Sequence, residues 1–230
     1  MNFLHEDSAV TRFLSCFMDL ILLNILWIVG CIPVVTAGAS TAALYDMTMR
    51  LALHEEVHVC SGFFKSLCHH FKKGLFLFLI VAAAGIFLAL DLWCTFQPYV
   101  PCRFLLQVVV VSVGYFYLAA VSHAFPALAY FDEPVLTTLR NGLLLAMRNG
   151  IFTVFIMILN LLPALLFFLF PVKFLQSLFL WFTVGFALIA WLNSLHLVRL
   201  FDPERVKAVE EAEEEKRKAR LRREALREQN

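Results

Sequence analysis

Charge is what the first 202 residues of this 230-residue chain have little of. Of its 37 Asp, Glu, Lys and Arg residues, 17 are crowded into the last 28 positions, which leaves 20 for everything before Pro203. Three long apolar runs, at 104–125, 151–170 and 174–198, hold none. A soluble domain keeps its surface wet with such residues, so that part of the chain is not built to fold in water. Catalytic signatures are scarce too. No Walker loop, dinucleotide fingerprint or nucleophile elbow occurs, and there is no large soluble stretch, which argues against an ATP-driven pump acting alone. The six cysteines include no C-x-x-C pair, so neither a zinc finger nor a thioredoxin-type motif is present.

What is there is hydrocarbon. Hydrophobic residues make up 61% of the chain, Phe occurs 24 times, and the mean hydropathy is +0.78. The expected fold class is all-α, a polytopic transmembrane helical bundle. Crossing about 30 Å of hydrocarbon takes roughly 20 apolar residues. Runs at 13–35, 75–96, 104–125, 151–170 and 174–198 are long enough. A sixth, at 37–53, is diluted by small residues. Ala37-Gly38-Ala39 looks like a signal-peptidase site, but the apolar stretch before it is about 23 residues, too long for a secretory h-region. The first run is therefore read as a retained span.

Lys and Arg favour cytoplasmic loops. With 37–53 as a returning helix there are about six spans, and both termini lie inside. Arg12, Arg50, Lys65, Lys72, Lys73, Arg140, Arg148 and Arg199 then share the inner side, leaving Arg103 and Lys173 outside. Two connections have helical patterning of their own. "SGFFKSLCHHFKKG" sets Phe63, Phe64, Leu67 and Phe71 against Lys65, His69, Lys72 and Lys73. "DEPVLTTLRNGLLLAMRNG" sets Leu136, Leu139, Leu143 and Met147 against Arg140 and Arg148, with Asp132 and Pro134 at its start. Both read as amphipathic helices on the inner membrane surface. Each ends in a glycine, Gly74 or Gly150, and the 76-residue offset suggests a parallel repeat. Residues 1–202 form the expected transmembrane domain. Residues 203–230 form a charged cytoplasmic tail, expected to be helical and to pair Glu213 with Arg217 and Glu214 with Lys218.

The stretch "LILLNILWIVGCIPVVTAGASTAALY" resembles the signature of the YesL-like family of bacterial integral membrane proteins, a domain family of unknown function. The positions that carry the resemblance are Asn24, Pro33, Thr36, Gly38, Ala42, Leu44 and Tyr45. "FFKSLCHHFKKG" and "FPALAYFDEPVLTTLRNGLLLAMRNG" are similar to that family's two basic surface segments. The resemblance covers roughly residues 10 to 200. It implies a multi-span protein of the bacterial plasma membrane, often encoded near carbohydrate uptake and breakdown systems. It implies no catalytic residues.

Ionisable and amide groups inside the spans are the functional pointers, because lipid makes them costly. Asp19, Asn24, Asp46 and Arg50 form the candidate intramembrane polar cluster, with Asp46 and Arg50 at pairing distance on one helical face. Asp91 beside Trp93, His123 and His196 are the others. His54-Glu55-Glu56-Val57-His58 fits the H-E-x-x-H of zinc proteases, where both His and the Glu need a helix to share a face. "NLLPALL" at 160–166 has the Asn and Pro of an intramembrane protease but no acid to serve as third ligand. His54, His58, Cys60, Cys68, His69 and His70 are a looser set of metal-ligand types. Cys94 and Cys102 flank a short outer turn and are expected to stay unpaired.

The leading reading is a non-enzymatic accessory or scaffold protein of the plasma membrane, tied to carbohydrate uptake or utilisation. A small secondary transporter or channel using Asp19, Asn24 and Asp46 is the alternative, and a zinc intramembrane protease the remote one. No cofactor and no metal are expected. Expected partners are the lipid bilayer, subunits of a sugar uptake system, and anionic lipid for the basic half of the tail, with no nucleic acid.

Overall fold

The computed structural model describes the backbone of residues 9–55, 57–97 and 102–228. Side chains 9–13, 213, 216, 217 and 220–228 lie outside that description. So do the expected Glu213–Arg217 pair, the Glu56 of the zinc-type motif and the side chain of Arg12. The described residues are helical almost throughout, without strands, as the composition requires.

Among the described residues there are nine helices: α1 (Ala9–Cys31), α2 (Ala37–Ala52), α3 (Val59–Thr95), α4 (Arg103–Phe131), α5 (Val135–Arg148), α6 (Gly150–Leu169), α7 (Pro171–Gln176), α8 (Leu178–Phe201) and α9 (Pro203–Glu228). A short 3₁₀ turn, Val34–Thr36, leads into α2. Five helices, α1, α3, α4, α6 and α8, are long and apolar enough to cross a membrane. Their outer faces carry Phe, Leu, Ile and Val exposed to their surroundings, which only hydrocarbon tolerates over so large an area.

α2 is the exception and the centre. Its 16 residues span about 24 Å, short of the hydrocarbon thickness. Ten of them, from Gly38 to Met49, are buried. It contacts α1, α3, α4 and α8 at once. The expected sixth span is thus a helix sheathed by other helices, without a lipid face of its own. That is why its sequence could be diluted with Gly, Ala, Ser and Thr.

The turn before α2 is built by its own residues. Pro33 cannot continue the α1 ladder, and the Thr36 hydroxyl donates to the carbonyls of Gly30 at 2.6 Å and Pro33 at 2.7 Å. α2 then runs back along the first half of α3. A Cβ added to Gly38 would lie 2.1 Å from the Gly74 carbonyl oxygen, and one on Gly74 would lie 2.7 Å from the Ala39 backbone. Two glycines let the helices touch backbone to backbone, the contact by which membrane helices associate without a hydrophobic drive.

One expectation is corrected. "SGFFKSLCHHFKKG" is not a separate surface helix but the first part of α3, which runs unbroken for 37 residues, about 55 Å. Its inward stripe is Phe63, Ser66, His70, Gly74 and Leu77, while Phe64 is exposed. α5 is a separate helix, as its pattern predicts; it turns Thr138, Gly142 and Ala146 inward and leaves the apolar Leu136 and Met147 outside. The small residues face in because α5 lies close on α4: a Cβ on Gly142 would sit 3.0 Å from the Ala120 carbonyl oxygen. The two repeat-like segments also differ in kind. Gly74 is wedged between helices, whereas Gly150 has open space around it.

Gly38→Val should therefore cost about 2–3 kcal/mol, the range of forced overpacking. The unfolding midpoint of the detergent-solubilised protein should fall by roughly 4–12 °C. Gly150→Ala should leave it within about 2 °C of the parent. Equal midpoints for the two variants would mean that the glycine contact does not hold α2 and α3 together.

Candidate functional site

The four residues of the expected polar cluster do not meet. Asn24, fully buried on α1, reaches α8. Its amide nitrogen donates to the carbonyls of Trp181 at 3.1 Å and Phe182 at 2.7 Å, and its amide oxygen accepts from the Ala187 N–H at 2.9 Å. The two carbonyls belong to a π-helical turn, Trp181–Gly185, set inside α8, and the N–H lies two residues past it. A widened turn leaves backbone groups without their usual partners, and in a bilayer each such group costs several kcal/mol. One asparagine satisfies three of them. Asn24 is a structural plug for α8.

Asp46 and Arg50 form the expected pair one helical turn apart, with Nε to Oδ1 at 2.9 Å. Asp19 is half-buried on α1, and among the described residues no hydrogen bond or ion pair is made to it. The other signature positions are also spent on structure. Ala42 and Leu44 are buried on α2, and the Tyr45 hydroxyl accepts from Asn193 of α8 at 3.3 Å. The same Asn193 amide donates to Asn160 of α6 at 2.9 Å, while its buried oxygen has no hydrogen-bond partner. Thr48 and Ser194 join α2 to α8 at 2.8 Å. Asn160 and Asn193 were invisible as a pair from sequence, being on different helices.

Beside this amide network lies a cavity of about 340 Å³ between α1, α2, α4, α6 and α8. Trp27, Phe125 and Phe186 give it an aromatic wall, and Thr41, Tyr45, Ser122 and Asn160 are its polar lining. It is mostly apolar, with a few polar groups on one side, the usual form of a small-molecule pocket.

The zinc-type motif fails on its backbone. His54 has a left-handed φ of 54° in the link after α2, and His58 is an extended residue capping α3, so the two histidines are not on one helical face. Glu55 pairs instead with Arg205 of the tail. Of the looser ligand set, His69 and His70 are brought together, and they meet Asp132, a residue outside that set. Among the described residues no group of three ligand-type side chains includes His54, His58, Cys60 or Cys68. All six cysteines are free thiols.

Asp132 ends α4 with a left-handed φ of 50°, a conformation that Asp tolerates better than most residues. Lys73 donates to its Oδ1 at 2.8 Å and to its peptide carbonyl, and His69 Nε2 lies 3.2 Å from Oδ2. Burial works against the carboxylate. The hydrogen bond and charge of Lys73, with His69 and His70, nevertheless hold it below the usual carboxylate range. The tail is anchored nearby in sequence logic of the ordinary kind: Asp202 caps α9 by accepting from the Arg205 N–H at 3.0 Å, with Pro203 as first helical residue. Tyr130 of α4 donates to the same carboxylate at 3.0 Å. The Arg205 N–H and then Tyr130 keep Asp202 ionised below its ordinary pKa.

An all-α polytopic membrane bundle, bound together by buried amides and hydroxyls around a short central helix, is the class that fold and site define. Residues 20–92 match the model of a family described as a protein of unknown function, DUF624, the family of YesL-like membrane proteins. The match takes in the second half of α1, all of α2 and most of α3, and so shows the resemblance over the signature and the first basic segment. The second basic segment, on α4 and α5, lies outside it. No curated protein and no solved structure matches the chain.

Two outcomes are expected. Asn24→Leu should destabilise by about 2–4 kcal/mol, since it strands three buried backbone groups, and hydrogen exchange should quicken first across 181–187. Exchange unchanged there would remove the plug. For the tail, a folded-state pKa below the unfolded one means that the Asp202 contribution is complete above about pH 4 and fades as pH falls through the lower value. Protection factors in the first turn of α9, corrected for the intrinsic pH dependence of exchange, should fall on acidification in the parent and be low at every pH in Asp202→Ala.

Proposed function

We propose that the chain is a non-enzymatic accessory or scaffold component of the bacterial plasma membrane, associated with carbohydrate uptake or utilisation, with both termini in the cytoplasm. One observation carries the reading. Three of the polar groups inside the bundle are spent on holding it: Asn24 on the π-turn of α8, Asp46 on Arg50, Thr48 on Ser194. A conduit needs such groups facing a path. The carbohydrate association rests on the YesL-like resemblance. The orientation rests on the distribution of Lys and Arg. Glu55, Asp132, Asp202 and Arg205 tie the α2–α3 link, the end of α4 and the tail to one another or to neighbours, giving partners a charged surface of fixed shape. The basic half of the tail suits anionic lipid.

The cavity favours a second reading, a small transporter or channel. Its Tyr45, Asn160, Thr41 and Ser122 carry the polar atoms with which a substrate would bond. Asp19, unpaired among the described residues, is the group such a device would titrate.

Crosslinking in native membranes, gentle purification and mass spectrometry separate the two. Sugar-importer permease subunits at a fixed ratio are the expected finding. Recovery of the chain alone or as a homo-oligomer would overturn the accessory role, and loss of uptake in Asp19→Asn with normal insertion would install transport instead. Cys60 and Cys68 are exposed thiols suited to testing orientation. They should resist an impermeant maleimide in intact cells and react after permeabilisation.

A further inference from the structure

His70 has no reason to be where it is unless something meets it. It lies on the inward stripe of α3 with only 3% of its surface exposed, and its Nδ1 has no hydrogen-bond partner among the described residues. A buried ring nitrogen without a partner has given up its hydration for nothing in return. Asp132 Oδ1 lies 3.5 Å from it and is already taken by Lys73 at 2.8 Å. On the other side of the carboxylate, His69 Nε2 stands 3.2 Å from Oδ2. The two imidazoles are neighbours in sequence, with rings 4.7 Å apart and crossed at 79°. One ligand atom from each of His69, His70 and Asp132 falls within 4.8 Å of the other two.

We propose that His69, His70 and Asp132 form a binding site for a divalent zinc-class ion. Two imidazole nitrogens and one carboxylate oxygen are the donor set of many zinc sites that keep a fourth position open. Zinc-to-ligand distances near 2.0–2.1 Å put tetrahedral donors roughly 3.3 Å apart, close to the 3.2 Å between His69 Nε2 and Asp132 Oδ2, while His70 Nδ1 lies 3.5 Å from the other oxygen, Oδ1, of the same carboxylate. Lys73 is not a rival for the ion. It occupies Oδ1 and the Asp132 peptide oxygen, orienting the carboxylate so that Oδ2 is left to the metal, as outer hydrogen bonds do around metal ligands. A plain ion pair of Asp132 with Lys73 and His69 accounts for both carboxylate oxygens but gives His70 nothing. The site joins α3 to the hinge between α4 and α5, so an occupied site would pin those helices together. The inference goes beyond the scaffold reading and does not depend on it.

The test uses the full chain in detergent, stripped with a chelator and titrated with zinc alone. One ion per chain is expected, with affinity lowered about tenfold or more in His69→Arg and in His70→Gln. His69→Arg keeps a cation beside Asp132, so losing zinc there separates ligation from ion pairing; circular dichroism and gel filtration check that the variants fold. Cys60→Ser/Cys68→Ser should bind as the parent does. Cobalt on the parent supplies a second reading, free of any folding defect: visible bands of a tetrahedral ion without a thiolate charge-transfer band. No stoichiometric zinc, undiminished binding in His69→Arg, or a thiolate band would each overturn the site.

Discussion

The contact between Gly38 and Gly74 is the constraint on which the rest of the bundle depends. With a Cβ at Gly38 only 2.1 Å from a carbonyl oxygen, no other residue fits without moving a helix. In lipid there is no gain from hiding apolar side chains, so association must come from close packing and hydrogen bonds. The glycines supply the closeness. Once α2 is drawn onto α3, the remaining helices close over it. A sheathed helix then needs no apolar face, and it can carry Ser40, Thr41, Thr48 and Tyr45 without exposing them to lipid.

Hydroxyls and amides solve the resulting polar problem differently. Thr41 and Thr48 donate one turn back along their own helix, to Ala37 at 2.8 Å and Leu44 at 2.9 Å. Such bonds satisfy the side chain wherever the helix lies, and so say little about its neighbours. An amide has two donors and an acceptor, more than its own helix can use. Asn24 therefore reaches into α8 and Asn193 into α2 and α6. Interhelical bonds in membranes average well under about 1 kcal/mol each. Three on one amide still decide a register, because a slip by one residue would strand them all. The π-turn follows from this. Trp181 and Phe182 turn their carbonyls to Asn24, which the ordinary α-helical ladder would have occupied.

The sequence reading was strongest where the relevant partners are close along the chain. The helical class, the Pro33 turn, the burial of α2 and the Asp46–Arg50 pair all follow from spacings of a few residues. Charge segregation likewise set off the tail as a helix of its own. α5 is a helix of its own, and its pattern offers two stripes. Leu136, Leu139, Leu143 and Met147 are the more apolar, but proximity to α4 selects Thr138, Gly142 and Ala146, which are smaller. Hydrophobicity orders residues for water; in lipid, volume chooses the face. The H-E-x-x-H match carries only a remote reading, since five letters do not specify the helix that gives them meaning, and a left-handed His54 removes it. Asn24 with Ala187 and Glu55 with Arg205 are separated by 163 and 150 positions. No spacing rule reaches that far.

The burial of His70 is a by-product of the same glycine contact. Gly74 must face α2, and α-helical periodicity then turns residues 70, 66 and 77 to the same side. Phe63 and Leu77 benefit from that, and Ser66 is small. A histidine does not benefit: Lys, Gln or Glu could have snorkelled away from so deep a position, while a short imidazole cannot. The neighbouring Lys65 and Lys72 are exposed, so α3 places its long cations outward and one short titratable ring inward. Asp132 meets that ring only because α4 stops there, in a left-handed residue followed by Glu133 and Pro134. Two unrelated features of the backbone, a helix crossing and a helix end, thus converge on one pair of imidazoles. Packing alone calls for an apolar residue at position 70, as at 63 and 77, and gives no account of the carboxylate brought to it.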